Sequence, residues 1–341
     1  MLSQLWCRYE MIRALAGNDS YDHFGARGGG KSWGVLCYQA ANSFPLDCDF
    51  FELLQKIDPA SKDEPAVTEL IQWILASDDG TWSSMERTFY TLYIRARMSE
   101  ILFPQEKSEV SVARLLSSFT RAIDALLRVA HGKKSCAYHL ELLRKMSATD
   151  GVITFNYDLV AERATRKLSS IPAFGNWVYG FDKRPNNAGK VPILYKLHGS
   201  VNRVYDEDED SFTVRQKSWK DFDDEPGYRA HSNSLLFAIM LPYWDKKIEE
   251  PPWCQIWGQA AAHLQKTVRL IVWGYSLPLT DLKALELLKL SLGPGRSCLE
   301  DVCIIDPSVA VRTRWRVMFP GQRFWPYEGI EEFLDHPPAW W

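Results

Sequence analysis

No apolar run in this chain approaches the roughly 20 residues that a membrane-spanning helix needs, so no membrane partner is expected. The opening stretch MLSQLWCRYEMIRAL lacks a basic segment followed by a clean apolar one, and cytoplasmic residence is the expectation. A surplus of one charge is missing too. The formal net charge is −3 and the pI is near 6.2, which gives no electrostatic reason to expect nucleic acid as a main ligand. Cysteine occurs without a pattern: the seven are an odd number with no framework spacing, so reduced thiols are expected. No C-x-x-C pair occurs, and Cys136-x-x-His139 is the only short Cys/His spacing, so no structural zinc is expected. Internal repeats and long linkers are absent as well. What remains is a chain of 341 residues, 46% hydrophobic and 13% aromatic, enough to bury a sizeable core in one large domain or two modest ones.

Strand-forming residues are scarce where they would matter most for one motif. GARGGGKS, Gly25 to Ser32, satisfies G-x-x-x-x-G-K-[ST], the pattern of a loop whose backbone N–H groups cradle a phosphate. Such a loop has to be delivered by a buried strand and followed by a helix. AGNDSYDHF, residues 16–24, has Asn, Asp and Ser where a Val/Ile-rich strand belongs, whereas WGVLCYQAA, residues 33–41, is compatible with a helix start. A flexible Gly-rich segment is the plain alternative, and the rest of the chain supplies a third.

Helical periodicity dominates residues 51–148. Val67, Leu70, Ile71, Ile74 and Leu75 form one stripe, and Val112, Leu115, Leu116, Phe119 and Ile123 begin a second that runs to Ala130, with Gly132 as its stop. Past Gly151 the pattern changes to short apolar runs with small polar ends: GVITFNYD, ILYKLHGS, VRLIVWGYS and EDVCIIDPS. Continuous β-branched and aromatic runs separated by helical segments predict buried parallel strands over 151–155, 193–197, 269–273 and 301–305. Helices are expected over 159–168 and 280–292, the latter capped by Thr280 or Asp281. The acidic run between Tyr205 and Asp224 reads as a solvated loop. The expected fold class is α/β, a Rossmann-like open and mostly parallel sheet with helices on both faces and helical insertions. The layout is one domain over 1–341, with a glycine-loop region at 1–50, a helical insertion at 51–148 and the strand-end motifs within 149–330.

In open α/β sheets ligands bind beyond the carboxyl ends of the strands. There TFNYD presents Asn156 and Asp158, KLHGS presents His198 with Gly199 and Ser200, WGYSLP presents Gly274, Tyr275 and Ser276, and CIIDPS presents Asp306. An Asn amide, a carboxylate and an imidazole suit ribose hydroxyls, and a small Gly-Tyr-Ser turn suits phosphate.

In order and wording these motifs resemble the sirtuin-like NAD-consuming domains, above all their bacterial anti-phage defence branch, over roughly residues 150 to 310. The resemblance implies NAD⁺ as substrate and cleavage of its nicotinamide–ribose bond. It makes Asn156 the group that holds the nicotinamide ribose and orients water, with Asp158 beside it, and His198 the catalytic imidazole. Gly274 and Ser276 match the turn receiving phosphate or ribose, with Gly199 and Tyr275 adjoining, and Asp306 falls near the adenosine end. The four-cysteine zinc module of deacetylating sirtuins is missing, which favours simple hydrolysis over acyl-lysine chemistry. GARGGGKS occupies the place of the family's first glycine loop, so Gly25 and Gly28 become candidate pyrophosphate contacts; the departure from that loop's usual form leaves weakened activity open. A homo-oligomer or a defence-system partner protein is implied by resemblance alone.

Plainer readings stand beside these. Asp158 is a suitable N-cap for the helix that follows, and Asp306 before Pro307 a suitable turn starter. His263 reads as a core or rim residue, and His131 and His139 have no constellation around them. Trp253, Trp257, Trp325, Trp340 and Trp341 read as core or interface. Two other functions remain: an ATPase or nucleotide switch using Lys31, Ser32 and Asp306, and a nucleotide sensor without turnover.

Overall fold

A computed structural model of the chain describes residues 11–16, 68, 70–73, 85–104, 111–131, 136–206, 211–214, 218–220, 236–241, 248–251, 253–277 and 281–341. The described strands are β1 (Met11–Ala16), β2 (Gly151–Thr154), β3 (Ile193–Lys196), β4 (Gly199–Asp206), β5 (Ser211–Val214), β6 (Leu236–Ile239), β7 (Thr267–Trp273), β8 (Asp301–Ile305) and β9 (Arg323–Tyr327). The helices are α1 (Met85–Leu102), α2 (Val112–His131), α3 (Ala137–Arg144), α4 (Val160–Leu168), α5 (Trp253–Gln265), α6 (Leu282–Leu292), α7 (Val309–Met318) and α8 (Ile330–Asp335).

The chain is mixed α/β. Its larger sheet has six strands in the order β3-β2-β1-β7-β8-β9. β2 and β3 run parallel, as do β7, β8 and β9, while β1 pairs antiparallel with both β2 and β7. Five strands therefore point one way and the central β1 points the other. The runs that form β2 and β8 are buried at every position, as continuous apolar strands covered on both faces should be.

Alternation sends successive residues to opposite faces. Val152, Leu194, Ile271 and Cys303 join a core with α2, α3, α4 and α8. Ile153, Tyr195, Val272 and Ile304 join a second core with α5, α6 and α7. Helices thus cover both faces of the sheet. The predicted stripe of α2 packs as expected, with Leu115, Phe119 and Ile123 buried. Of the five tryptophans read as core or interface, Trp257 is buried in the second core and Trp253 packs against it, while Trp325, Trp340 and Trp341 are partly buried against the first.

Two sequence expectations need correction. A strand does precede Gly25: β1 ends at Ala16, where the polar AGNDSYDHF stretch begins, and its sequence MIRALA has two Ala, a residue depleted in strands, and no Val, which concealed it. Of the stretch from Tyr205 to Asp224 expected as a loop, Tyr205 and Asp206 end β4 and Ser211–Val214 form β5, while the acidic residues 207–210 lie outside the described residues. Asp206 pairs with Ser211 at the turn end of an antiparallel β4–β5 ladder, part of a second sheet ordered β5-β4-β6. β4 begins immediately after His198, so this small sheet grows out of the edge where the motifs lie.

Candidate functional site

The common direction of β2, β3, β7 and β8 brings their carboxyl ends to one sheet edge. Thr154 pairs with Lys196 and Trp273 with Ile305, so Asn156, His198, Ser276 and Asp306 follow the ends of four strands on the same side. β1 bridges the two pairs in reverse: its first residue, Met11, pairs with Thr154 and Trp273.

Beyond β2 the backbone is held at several points. The Asn156 N–H donates to Thr154 Oγ1 at 3.1 Å, and the Tyr157 hydroxyl donates to the Met240 carbonyl at 2.7 Å, tying the loop to the second sheet. Asn156 itself is half-buried. Asp158 Oδ1 accepts the Val160 N–H at 2.9 Å, a local turn leading into α4, whose N-cap position is Leu159 and carries no side-chain cap bond, so the expected N-cap role of Asp158 gives way to a turn.

His198 lies two residues past β3 and is buried. Its carbonyl accepts the Met240 N–H at 2.8 Å, and the preceding Leu197 carbonyl accepts Trp257 Nε1 at 3.0 Å. Gly199 then turns the chain into β4 with φ +90; a Cβ here would lie 1.8 Å from the Ala238 carbonyl oxygen. Only glycine accommodates both the angle and the contact.

The imidazole meets a partner from a distant segment. His198 Nε2 is 3.4 Å from Asp281 Oδ2, and both residues are buried. Asp281 precedes α6 and was a predicted cap, but its side chain makes no capping bond. The carboxylate faces the imidazole instead. An Asp at Nε2 favours the tautomer protonated there and leaves Nδ1 as the basic nitrogen. The Phe155 ring packs 5.0 Å from His198 and stacks on Tyr275 at 4.6 Å, an aromatic bridge between the ends of β2 and β7.

The Gly-Tyr-Ser turn is built differently from the expectation for a phosphate cradle. Gly274 has φ +71, but its N–H donates to the Ile305 carbonyl at 3.0 Å, so that donor is spent on the sheet. The Tyr275 carbonyl accepts Trp315 Nε1 from α7 at 2.8 Å. Ser276 and Ser200 carry buried hydroxyls without a hydrogen-bond partner among the described residues. Asp306 behaves as a turn residue: Oδ1 accepts the Ser308 N–H at 2.8 Å, and its carbonyl accepts Arg312 at 2.6 Å.

On the opposite sheet face, His139 also acquires surroundings that its spacing did not reveal. It packs 4.9 Å from the Trp273 ring. Burial pushes its pKa down to about 4, against an opposing pull from the Asp158 charge. His263 lies on α5, half-buried, with Nδ1 3.5 Å from the Tyr195 hydroxyl.

Gly25, Gly28, Lys31 and Ser32 lie outside the described residues. Among the described residues, no group of three or more His, Cys, Asp or Glu side chains is placed to hold a metal ion, and no helix is long and apolar enough to cross a membrane. The chain matches no family model and no curated protein.

The site residues that sequence reasoning missed are Asp281 and Phe155. Asp281 had an available signal, an acidic residue a few positions past a strand-end turn, but helix capping is the commoner use of Asp there. Phe155 sits inside the TFNYD motif, whose polar members drew the chemical reading.

Proposed function

We propose that the chain is a sirtuin-like NAD⁺ glycohydrolase on a Rossmann-like sheet, with Asn156 and His198 acting at the nicotinamide ribose. The observation that carries this reading is the buried His198–Asp281 contact at the sheet edge that also bears Asn156. Water adds to the ribose C1′ as the C1′–N bond breaks; nicotinamide leaves neutral with the bonding electron pair. The products are ADP-ribose, nicotinamide and one proton. Positive charge builds on the ribose before water adds, so the reaction needs a positioned water and a group that accepts its proton. Asn156 orients that water without adding charge, and His198 Nδ1 receives the proton. Asp281 then faces an imidazolium, whose charge it stabilises most strongly in a desolvated setting.

The residues present fit part of the substrate. The unpartnered Ser200 and Ser276 hydroxyls are donors suited to ribose or phosphate oxygens. Gly274, its N–H engaged by Ile305, supplies no donor. His198 is 5% exposed, so substrate entry requires the edge to open, in keeping with an effector held inactive until a trigger or partner engages it. Resemblance of the motifs supports a role in bacterial anti-phage defence, with depletion of NAD⁺ as the outcome.

Release of nicotinamide from NAD⁺ by the purified chain, alone or with its activating partner, tests the proposal. Asn156→Ala and His198→Ala should each lower the rate by about 10²–10⁴ with the fold intact by circular dichroism. Lys31→Ala should leave nicotinamide release unchanged. ATP hydrolysis that requires Lys31 and survives His198→Ala would establish the ATPase alternative instead.

A further inference from the structure

Three charged side chains meet in the core beneath the candidate site: Lys196, Glu162 and Arg203, the last fully buried with its guanidinium 3.9 Å from the centre of the Tyr179 ring. Lys196 is the last residue of β3, and Glu162 lies in the first turn of α4. They are 1% and 0% exposed and form an ion pair at 3.0 Å. Such a pair is a poor device for stability alone, since desolvating both ions offsets most of their attraction and apolar replacements are often neutral or stabilising. Its geometry has a more specific consequence. Lys196 Nζ also donates to the Asp158 carbonyl.

That bond connects the two halves of the proposed catalytic pair. Lys196 stands two residues before His198 on one strand, and Asp158 two residues after Asn156 on the loop leaving the neighbouring strand. Alternation turns Lys196 toward the sheet face opposite Tyr195 and Leu197, under the Asn156 loop. Glu162 fixes the ammonium from α4, and is itself oriented by the Tyr179 hydroxyl, which donates to Glu162 Oε1 at 3.0 Å and accepts Asn202 Nδ2 at 2.8 Å. Burial lowers the Lys196 pKa, and the Glu162 carboxylate opposes that shift. Glu162 thus both aims the ammonium and opposes the loss of its charge.

We infer that the Lys196–Glu162 pair is a positioning device that clamps the Asn156 loop at a set distance from His198. The inference rests on the proposed glycohydrolase reading for its catalytic consequence, though the clamp itself is a statement about backbone order. A misplacement near 1 Å at a reacting centre costs about a hundredfold in rate, so a loosened loop should lower turnover far more than substrate binding.

The test uses the full chain with Lys196→Met and Glu162→Gln combined. This removes both charges of the ion pair and keeps an acceptor for the Tyr179 hydroxyl, while the buried Arg203 guanidinium loses the Glu162 charge. Amide hydrogen exchange of residues 155–158 and steady-state kinetics of nicotinamide release are measured on the same preparation. At a temperature where the variant is fully folded, a clamp predicts about a hundredfold lower kcat with KM within threefold. It also predicts exchange at residues 155–158 faster by about tenfold, while the sheet strands stay protected. Lys196→Arg alone, which keeps the donor and charge, should recover part of the turnover.

Unchanged exchange at residues 155–158 would overturn the clamp, whatever the kinetics. Unchanged kcat in an active enzyme would overturn its catalytic consequence. Should the unmodified, activated chain release no nicotinamide, the glycohydrolase reading fails, and the exchange measurement alone decides the clamp. If the double variant does not fold, Lys196→Gln and Glu162→Gln are measured singly by the same exchange criterion, and unaltered protection of residues 155–158 in both would likewise refute it.

Discussion

His139 makes the stability of the chain depend on pH in a window where an exposed histidine would have no such effect. Its folded pKa is pushed from 6.5 down to about 4 by burial, with the Asp158 charge opposing. Below 6.5 the unfolded imidazole takes up a proton that the folded one refuses until about 4, so acidification across that window favours unfolding. The full separation corresponds to about 3 kcal/mol, lost once the pH is below both values, and the portion lost between pH 7 and pH 5 is about 2 kcal/mol. Above 6.5 the contribution is fully present. The perturbation is His139→Leu, which keeps an apolar body against Trp273 and removes the titrating group. Urea unfolding followed by tryptophan fluorescence at pH 7, 6 and 5 gives the free energies. The unmodified chain should lose about 2 kcal/mol more than the Leu variant between pH 7 and 5. Carboxylate titrations common to both proteins cancel in that difference. A difference under about 0.5 kcal/mol would refute a neutral, desolvated His139.

Other outcomes are equally direct. Gly199→Ala must relieve both a φ of +90 and a Cβ placed 1.8 Å from the Ala238 carbonyl oxygen, so it should cost on the order of 4 kcal/mol in denaturant unfolding; a cost below about 1 kcal/mol would show that the turn into β4 is freely deformable. Asp281→Asn, which removes the carboxylate from His198 Nε2 while keeping the size, should lower nicotinamide release by about 10²–10⁴ with little loss of stability, because the side chain caps nothing in α6. Turnover within threefold of the unmodified chain would assign His198 a role that needs no carboxylate partner.

The parts of the fold legible in the sequence are those dictated by burial on both faces. GVIT, ILYK and DVCII read as interior strands, because short runs built mainly of apolar and β-branched residues suit a sheet covered on both faces. The predicted strands at 151–155, 193–197, 269–273 and 301–305 correspond to β2, β3, β7 and β8 within two residues at each end. β1 was hidden because it owes its place to pairing on both sides, not to propensity: its neighbours supply the ladder that its two alanines do not favour. The β4–β5 ladder was hidden by its charge, since acidic residues mark solvated loops and hairpin turns alike. Within the site, the strand-end residues could be read one by one from their motifs. The His198–Asp281 contact could not, because it depends on how the segment after β7 folds back across the sheet edge, a matter of tertiary placement that spacing in the chain does not encode.

The direction of β1 bears on how any nucleotide is held. In doubly wound nucleotide folds the glycine loop leaves the carboxyl end of a central parallel strand and sits at the ligand edge. Here the central position between β2 and β7 belongs to a strand of opposite sense. Its carboxyl end, Ala16, pairs with Thr267 at the start of β7, while its amino end, Met11, adjoins Thr154 and Trp273. The carboxyl end of β1 therefore lies at the end of the sheet opposite the edge that carries Asn156, His198 and Asp306, and Gly25 to Ser32 lie outside the described residues. This weakens the ATPase reading, which needs the loop and the Asp306 carboxylate together and needs a strand to place them so. It weakens the glycohydrolase reading less, since bond cleavage at the nicotinamide ribose is assigned to groups from β2, β3 and the start of α6, none of which depends on β1 for its direction. Pyrophosphate binding is the function most exposed to the reversal, and the Gly274 N–H, engaged by Ile305, supplies no donor for it. On the proposed glycohydrolase reading, such an edge would gain most from a partner or a conformational change that completes the phosphate end.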